Sequence, residues 1–232
     1  YYASRGLGDV YKRQLTQLIS ILKGSPVTNT MLEVATSSNL WVNLSIMVLC
    51  APVAEELIFR KLLIDRLAQY GEGVAVLFSG LMFGLFHGNL NQFVYAFVLG
   101  LCFGFIYVKT GNIRYTIGLH MLVNFLGSVL GVAILKWLGD DFLSIASDPA
   151  GMMSYMTGNF GKLIVYFIYI FLLLGVAIAG IILFIVNLKK IRFLPGMNTI
   201  PKGKRFSTTV LNVGMALYMI VWIVIIIVQL FQ

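Results

Sequence analysis

Six polar side chains lie in apolar surroundings where each is energetically expensive. Glu55, Glu56 and Arg60 interrupt the run Ala54-Glu55-Glu56-Leu57-Ile58-Phe59-Arg60, and His87 ends Phe83-Gly84-Leu85-Phe86-His87. His120 and Asn124 bracket His120-Met121-Leu122-Val123-Asn124. An ionisable group at the centre of a membrane helix costs at least about 2.5–3.5 kcal/mol on insertion scales, so a cluster of three needs a reason. Glu56 and Arg60 are four apart, share a helix face and can neutralise each other, whereas Glu55 points about 100° away and leaves one carboxylate in excess. His120 and Asn124 share a face by the same spacing. His87 and His120 are the chain's only histidines.

A carboxylate held partly out of water has its pKa raised toward the operating pH and can act as general base on water, with a histidine assisting. An amide and a second imidazole can donate hydrogen bonds to the oxyanion of a tetrahedral intermediate. The same set offers another chemistry, in which Glu55, His87 and His120 hold Zn²⁺ and leave one position open for water. Peptide hydrolysis fits both versions, so the cofactor expectation is either none or Zn²⁺.

The elements that must position these groups are membrane helices. Of the 232 residues, 59% are hydrophobic and 11% charged, and the mean hydropathy is +0.90, far from the balance of a soluble domain. Apolar runs long enough to cross a bilayer recur along the chain, which predicts an all-α, polytopic transmembrane bundle with about six spans. They fall at 40–70, 73–89, 91–109, 113–137, 162–188 and 207–231. In domain terms, 40–137 is the catalytic core, 138–161 an external loop, and 162–232 two further spans joined by a basic loop at 189–206. Residues 15–39 are an unassigned interfacial or truncated segment. Residues 1–14 are polar and basic, read as a non-native leader, and suggest that native helices upstream are missing.

The formal charge is +8, but the basic residues sit in short loops, which argues for orientation in the bilayer and against nucleic acid. Arg60, Lys61 and Arg66 lie at the end of the first span, Lys109 and Arg114 at the junction of the third and fourth, and Lys189, Lys190, Arg192, Lys202, Lys204 and Arg205 between the fifth and sixth. These loops are expected inside, and the loop with Asp140, Asp141 and Asp148 outside. Cys50 and Cys102 lie in apolar runs, where a thiol packs as a small hydrophobe. Glycines at four-residue spacing, Gly80/Gly84/Gly88, Gly100/Gly104 and Gly127/Gly131, predict close helix approach.

The turn between the first two spans centres on Gly71-Glu72-Gly73, with Glu55 about 16 residues before and His87 about 15 after. An antiparallel hairpin places them opposite each other, about 10 Å deep at 1.5 Å rise per residue. His120 is expected at a similar depth, so that three helices converge on one cytoplasm-facing site.

The ordered set Glu-Glu-x-x-x-Arg, Phe-x-x-x-His and His-x-x-x-Asn on successive helices resembles the signature of the CPBP (CAAX protease and bacteriocin-processing, or Abi) family of intramembrane proteases, which includes the type II CAAX prenyl endopeptidases. The resemblance covers roughly 51–130. It implies that Glu55 and His87 activate water, that His120 and Asn124 bind the oxyanion or a metal, and that Arg60 supports the glutamates. The family is often labelled metalloprotease, although a metal-free Glu/His mechanism is also proposed for its members. The partners implied are a membrane-associated or lipidated peptide substrate and the lipid bilayer. The expected location is a prokaryotic cytoplasmic membrane. Two other classes compete with the protease: a non-catalytic bacteriocin-immunity or scaffold protein, and a proton-coupled transporter using Glu55 and the histidines as a relay.

Overall fold

In a computed structural model, residues 30–139, 142–146, 148–198, 200–204, 207–208 and 211–231 are described. The expected leader at 1–14 and most of the unassigned segment lie outside them, as do Asp140, Asp141 and Arg205. The elements are helices: α1 (Thr30–Ser37), α2 (Leu40–Tyr70), α3 (Glu72–Phe86), α4 (Leu90–Thr110), α5 (Ile113–Leu138), α6 (Phe142–Ile145), α7 (Pro149–Asn187) and α8 (Val213–Phe231). The fold is an all-α membrane bundle. Four of these helices, α2, α4, α5 and α7, are long and apolar enough to cross a membrane, and α3 and α8 are shorter apolar helices. At 1.5 Å per residue α3 is only about 22 Å long, so it falls short of a full hydrocarbon thickness.

The fifth predicted span, α7, differs most from the sequence expectation. It begins at Pro149 instead of near Lys162, because Asp148 caps it by accepting from the N–H groups of Ala150 and Gly151 and proline occupies its first position. A kink at Asn159 (φ −128°, ψ 24°) separates this extension from the apolar stretch that follows. Beyond the kink most side chains are exposed and apolar all round, the pattern of a lipid-facing helix.

Among the described residues two helices carry π-helical segments. In α2, π-helical segments at Asn43–Cys50 and Leu57–Ile64 flank an α-helical Ala51–Glu56, and in α5 a π-segment occupies Phe125–Gly131. Each π-turn changes the phase of every side chain after it.

The chain divides into two units. The first contains Pro52–Gly118 and Leu194–Gln232, and the second Val34–Ala51 and Leu119–Phe193. In the first unit α3 and α4 form a tight pair. A Cβ at Gly100 would stand 2.8 Å from the Gly80 Cα, and one at Gly84 would stand 3.0 Å from the Phe93 carbonyl oxygen, so small residues let the backbones meet. The segment at 194–198 docks on the turn between α2 and α3: Leu194 N–H donates to Glu72, and Asn198 pairs with Gln69 through both backbone and side chain. In the second unit Leu138, Phe142 and Leu163 form the apolar cluster. There Gly131 leaves room for Tyr169, whose hydroxyl donates to Leu126 O. Gly127, by contrast, has no described atom within 4 Å of where a Cβ would stand, so its spacing does not mark a close approach.

Candidate functional site

The charged part of the site is built on α2 and α3 in the first unit. Glu56 and Arg60 are both fully buried and form an ion pair, with Arg60 Nε donating to Glu56 Oε2 at 2.9 Å and Nη2 to Oε1 at 3.2 Å. Arg60 Nη1 donates to Ser79 Oγ at 2.7 Å, and Ser79 Oγ donates onward to Phe59 O at 2.8 Å. The guanidinium also lies 4.8 Å from the Phe83 ring centroid and 5.9 Å from that of Phe103. A planar fork meeting a carboxylate two-on-two, with aromatic rings close by, is how an arginine is kept charged away from water. Ser79 is not among the residues that the motifs single out. Its signal is a hydroxyl inside an apolar run, four residues before Phe83.

Packing fixes the level of the remaining acid and the first histidine. Gly71, at φ +115°, turns the chain directly from α2 into α3, and the two helices run antiparallel with Phe59 edge-on to Phe83 at 5.4 Å. Glu55 lies one turn back from Phe59 on α2, and His87 one turn on from Phe83 on α3. Both therefore stand at the same end of this contact, as the hairpin arithmetic anticipates. Both are partly buried. Glu55 is near enough to Arg60 and Tyr95 to act on them electrostatically, but among the described residues the hydrogen bonds of Arg60 go to Glu56 and Ser79.

His87 has a defined orientation. Its Nδ1 lies 2.8 Å from Phe83 O, and because a carbonyl only accepts, Nδ1 carries the hydrogen and the lone pair of the neutral ring belongs to Nε2. Its ring stacks edge-on against Phe83 at 4.9 Å. The turn that follows is held by side-chain bonds: Asn89 caps α4 by accepting from Gln92 N–H, while its amide donates to His87 O and Gln92 Oε1. Gly88 adopts φ +65° with Trp222 and Ile225 of α8 close to it.

The other two candidates belong to the second unit. His120 is buried at 4% exposure. Asn124, one turn further along α5, donates from Nδ2 to Met47 O at 2.7 Å, and its own backbone carbonyl accepts from Ser128 Oγ at 2.6 Å. Asn43, which polarity alone marks in the sequence, is fully buried. Its Nδ2 donates to Ala35 O at 2.8 Å and Ser128 O at 3.1 Å. The first unit thus brings together Glu55, Glu56, Arg60 and His87, and the second His120 and Asn124. Within each unit, among the described residues, no three His, Cys, Asp or Glu side chains gather in a way that would hold a metal ion. Cys50 and Cys102 are free thiols, exposed on their helices.

Comparison with known proteins points the same way as the motifs. Residues 37–126 match the family described as Type II CAAX prenyl endopeptidase Rce1-like, a span that contains all six candidate residues. The chain is also similar to "Putative membrane peptidase YdiL" of Bacillus subtilis (strain 168), at 30% identity over 108 residues. That match covers 46% of this chain and 43% of the relative, so the chain spans less than half of the relative's length. No solved structure matches significantly.

Proposed function

Taking that family match as the premise, we propose that the protein is an intramembrane endopeptidase that hydrolyses a peptide bond in a membrane-associated or lipidated peptide. The observation that carries this reading is the Phe59–Phe83 contact, which sets Glu55 and His87 at one level on neighbouring antiparallel helices. Arg60 is engaged by Glu56 and Ser79, so it supports the scaffold, and Glu55 is the carboxylate suited to take a proton.

In this reading Glu55 removes a proton from water, assisted by the Nε2 lone pair of His87, while the water oxygen bonds to the scissile carbonyl carbon. The carbonyl π electrons move to oxygen and give a tetrahedral oxyanion. His120 and Asn124 have the role that the family resemblance implies, as hydrogen-bond donors to that oxygen. The carbonyl then re-forms, the C–N bond breaks, and the proton held by Glu55 passes to the departing amine. A bound Zn²⁺ would instead supply Lewis-acid activation of water. Asn124 is a poor Zn²⁺ ligand and the chain has only two histidines, which favours catalysis by Glu55 and His87 without a tightly bound ion, Glu55, His87 and His120 being the ligands if one is used.

The test is cleavage of a membrane-associated peptide by purified protein in detergent, abolished by Glu55→Gln. A scaffold or immunity protein, or a transporter, would leave the peptide intact. Orientation is tested separately, in a protein whose Cys50 and Cys102 have been replaced. Labelling in intact cells should reach Asp141→Cys from outside and miss Lys202→Cys, since the basic loops face the cytoplasm in this reading. Labelling of Lys202→Cys from outside would overturn the cytoplasm-facing site.

A further inference from the structure

We infer that Asn124 is a surrogate backbone donor for α2, and that it holds open a proline-made gap in the helix ladder just ahead of Glu55. Pro52, inside α2, has no N–H to donate. In an α-helix the carbonyl of Met47 would receive the N–H of Ala51, four residues on. In this helix Ala51 N–H reaches back five residues to Ile46 O, the π pattern. The corresponding π donor to Met47 O would be residue 52, which is proline. Met47 O therefore has neither of its intrahelical donors, and a carbonyl at membrane depth needs one from elsewhere. Asn124 Nδ2 supplies it at 2.7 Å.

The arrangement is reciprocal. Asn43, one turn before Met47, donates across to Ser128 O, one turn after Asn124. At Ser128 the ladder is also displaced, since Val132 N–H goes to Val129 O and so does not serve the carbonyl four residues back. Each helix thus lends an amide to a π-segment of the other. The amide of Asn43 is oriented by two carbonyl acceptors and could not be flipped without losing both.

The ladder of α2 returns to α geometry at Ala51–Glu56, and Asn124, by satisfying Met47 O, makes the π-segment before it tenable. One of its two amide hydrogens remains for other chemistry.

The test is a mutant cycle between Pro52→Ala, which restores an N–H at the π-donor position, and Asn124→Leu, which keeps the side-chain size but removes the donor. Read as melting temperature in detergent, Asn124→Leu should lower Tm by about 2–4 °C in the wild-type background and by less than half as much in the Pro52→Ala background. If Asn124→Leu fails to fold alone but folds with Pro52→Ala, the inference is equally supported. Asn43→Leu is the control, since its acceptors are Ser128 and Ala35, and its effect should be the same in both backgrounds. Equal losses for Asn124→Leu in both backgrounds, or an Asn43→Leu effect relieved to the same extent, would overturn the inference.

Discussion

The two halves of α2 meet the same problem in different ways. Residues 52–60 place full charges in the bundle and neutralise them locally, with Glu56 and Arg60 paired and Ser79 closing a further guanidinium donor. Residues 43–50 carry no charge but have a disrupted backbone, and neutral amides from Asn124 and Asn43 serve the displaced ladders. The difference is one of scale. A buried charge stripped of its partner is a large penalty, whereas a buried carbonyl stripped of its donor is a modest one. The charged half should therefore tolerate substitution far less well than the amide half, and Glu55 beside the Glu56–Arg60 pair is the carboxylate proposed for chemistry.

The sharpest way to break this comparison is to remove one member of the pair. Glu56→Gln leaves Arg60 as an orphan charge and should cost about 3–5 kcal/mol of stability, and Arg60→Gln should cost a similar amount. The double mutant should be less unstable than the two single losses added together, because it removes the orphan as well as the pair. Denaturation in detergent measures all three. If Glu56→Gln folds normally and is as inactive as a Glu55 mutant, both carboxylates belong to the catalytic centre and the charged half is not a scaffold.

Next in size is Glu55→Gln, which keeps shape and removes the base. Cleavage should fall by about 10²-fold or more, equivalent to about 2.7 kcal/mol of barrier, while Tm stays near wild type. Adjacent residues of one type should thus lose different properties, activity at Glu55 and stability at Glu56. Retention of near-normal cleavage would remove Glu55 from the mechanism.

A smaller effect is expected from Ser79→Ala. It takes a hydrogen-bond partner from one guanidinium N–H and from the Phe59 carbonyl and should cost about 1–3 kcal/mol, seen as a fall in Tm without a specific loss of kcat. An effect as large as that of Glu56→Gln would mean that the hydroxyl is an equal member of the network. The smallest expected effect is that of metal removal: chelator treatment should leave cleavage unchanged. One zinc per chain, with activity lost on its removal and restored on its return, would reverse this and make Glu55, His87 and His120 ligands.

Much of this can be read from residue order alone. The bilayer as solvent, the start of α2 and α5, the Glu56–Arg60 partnership and the hairpin that levels Glu55 with His87 all follow from apolar run length, the 3.6-residue repeat and a glycine turn, which are local or nearly local in the chain. Length is harder to read. The start of α7 escapes a hydropathy reading because Asp148 and Pro149 make a helix N-terminus that lies before the apolar stretch, in a segment whose polarity reads as loop.

What only the tertiary structure decided are the pairings between positions far apart in sequence. Nothing near Arg60 names Ser79, and nothing near Asn124 names Met47. Nor does the sequence of α2 say that its ladder steps from α to π at Asn43 and back at Ala51, because a proline forbids one hydrogen bond without choosing which neighbouring carbonyl goes unserved. That choice depends on where a donor from another helix arrives. Helix periodicity is a property of the chain, whereas the satisfaction of a displaced carbonyl depends on the packed neighbour that supplies its hydrogen bond.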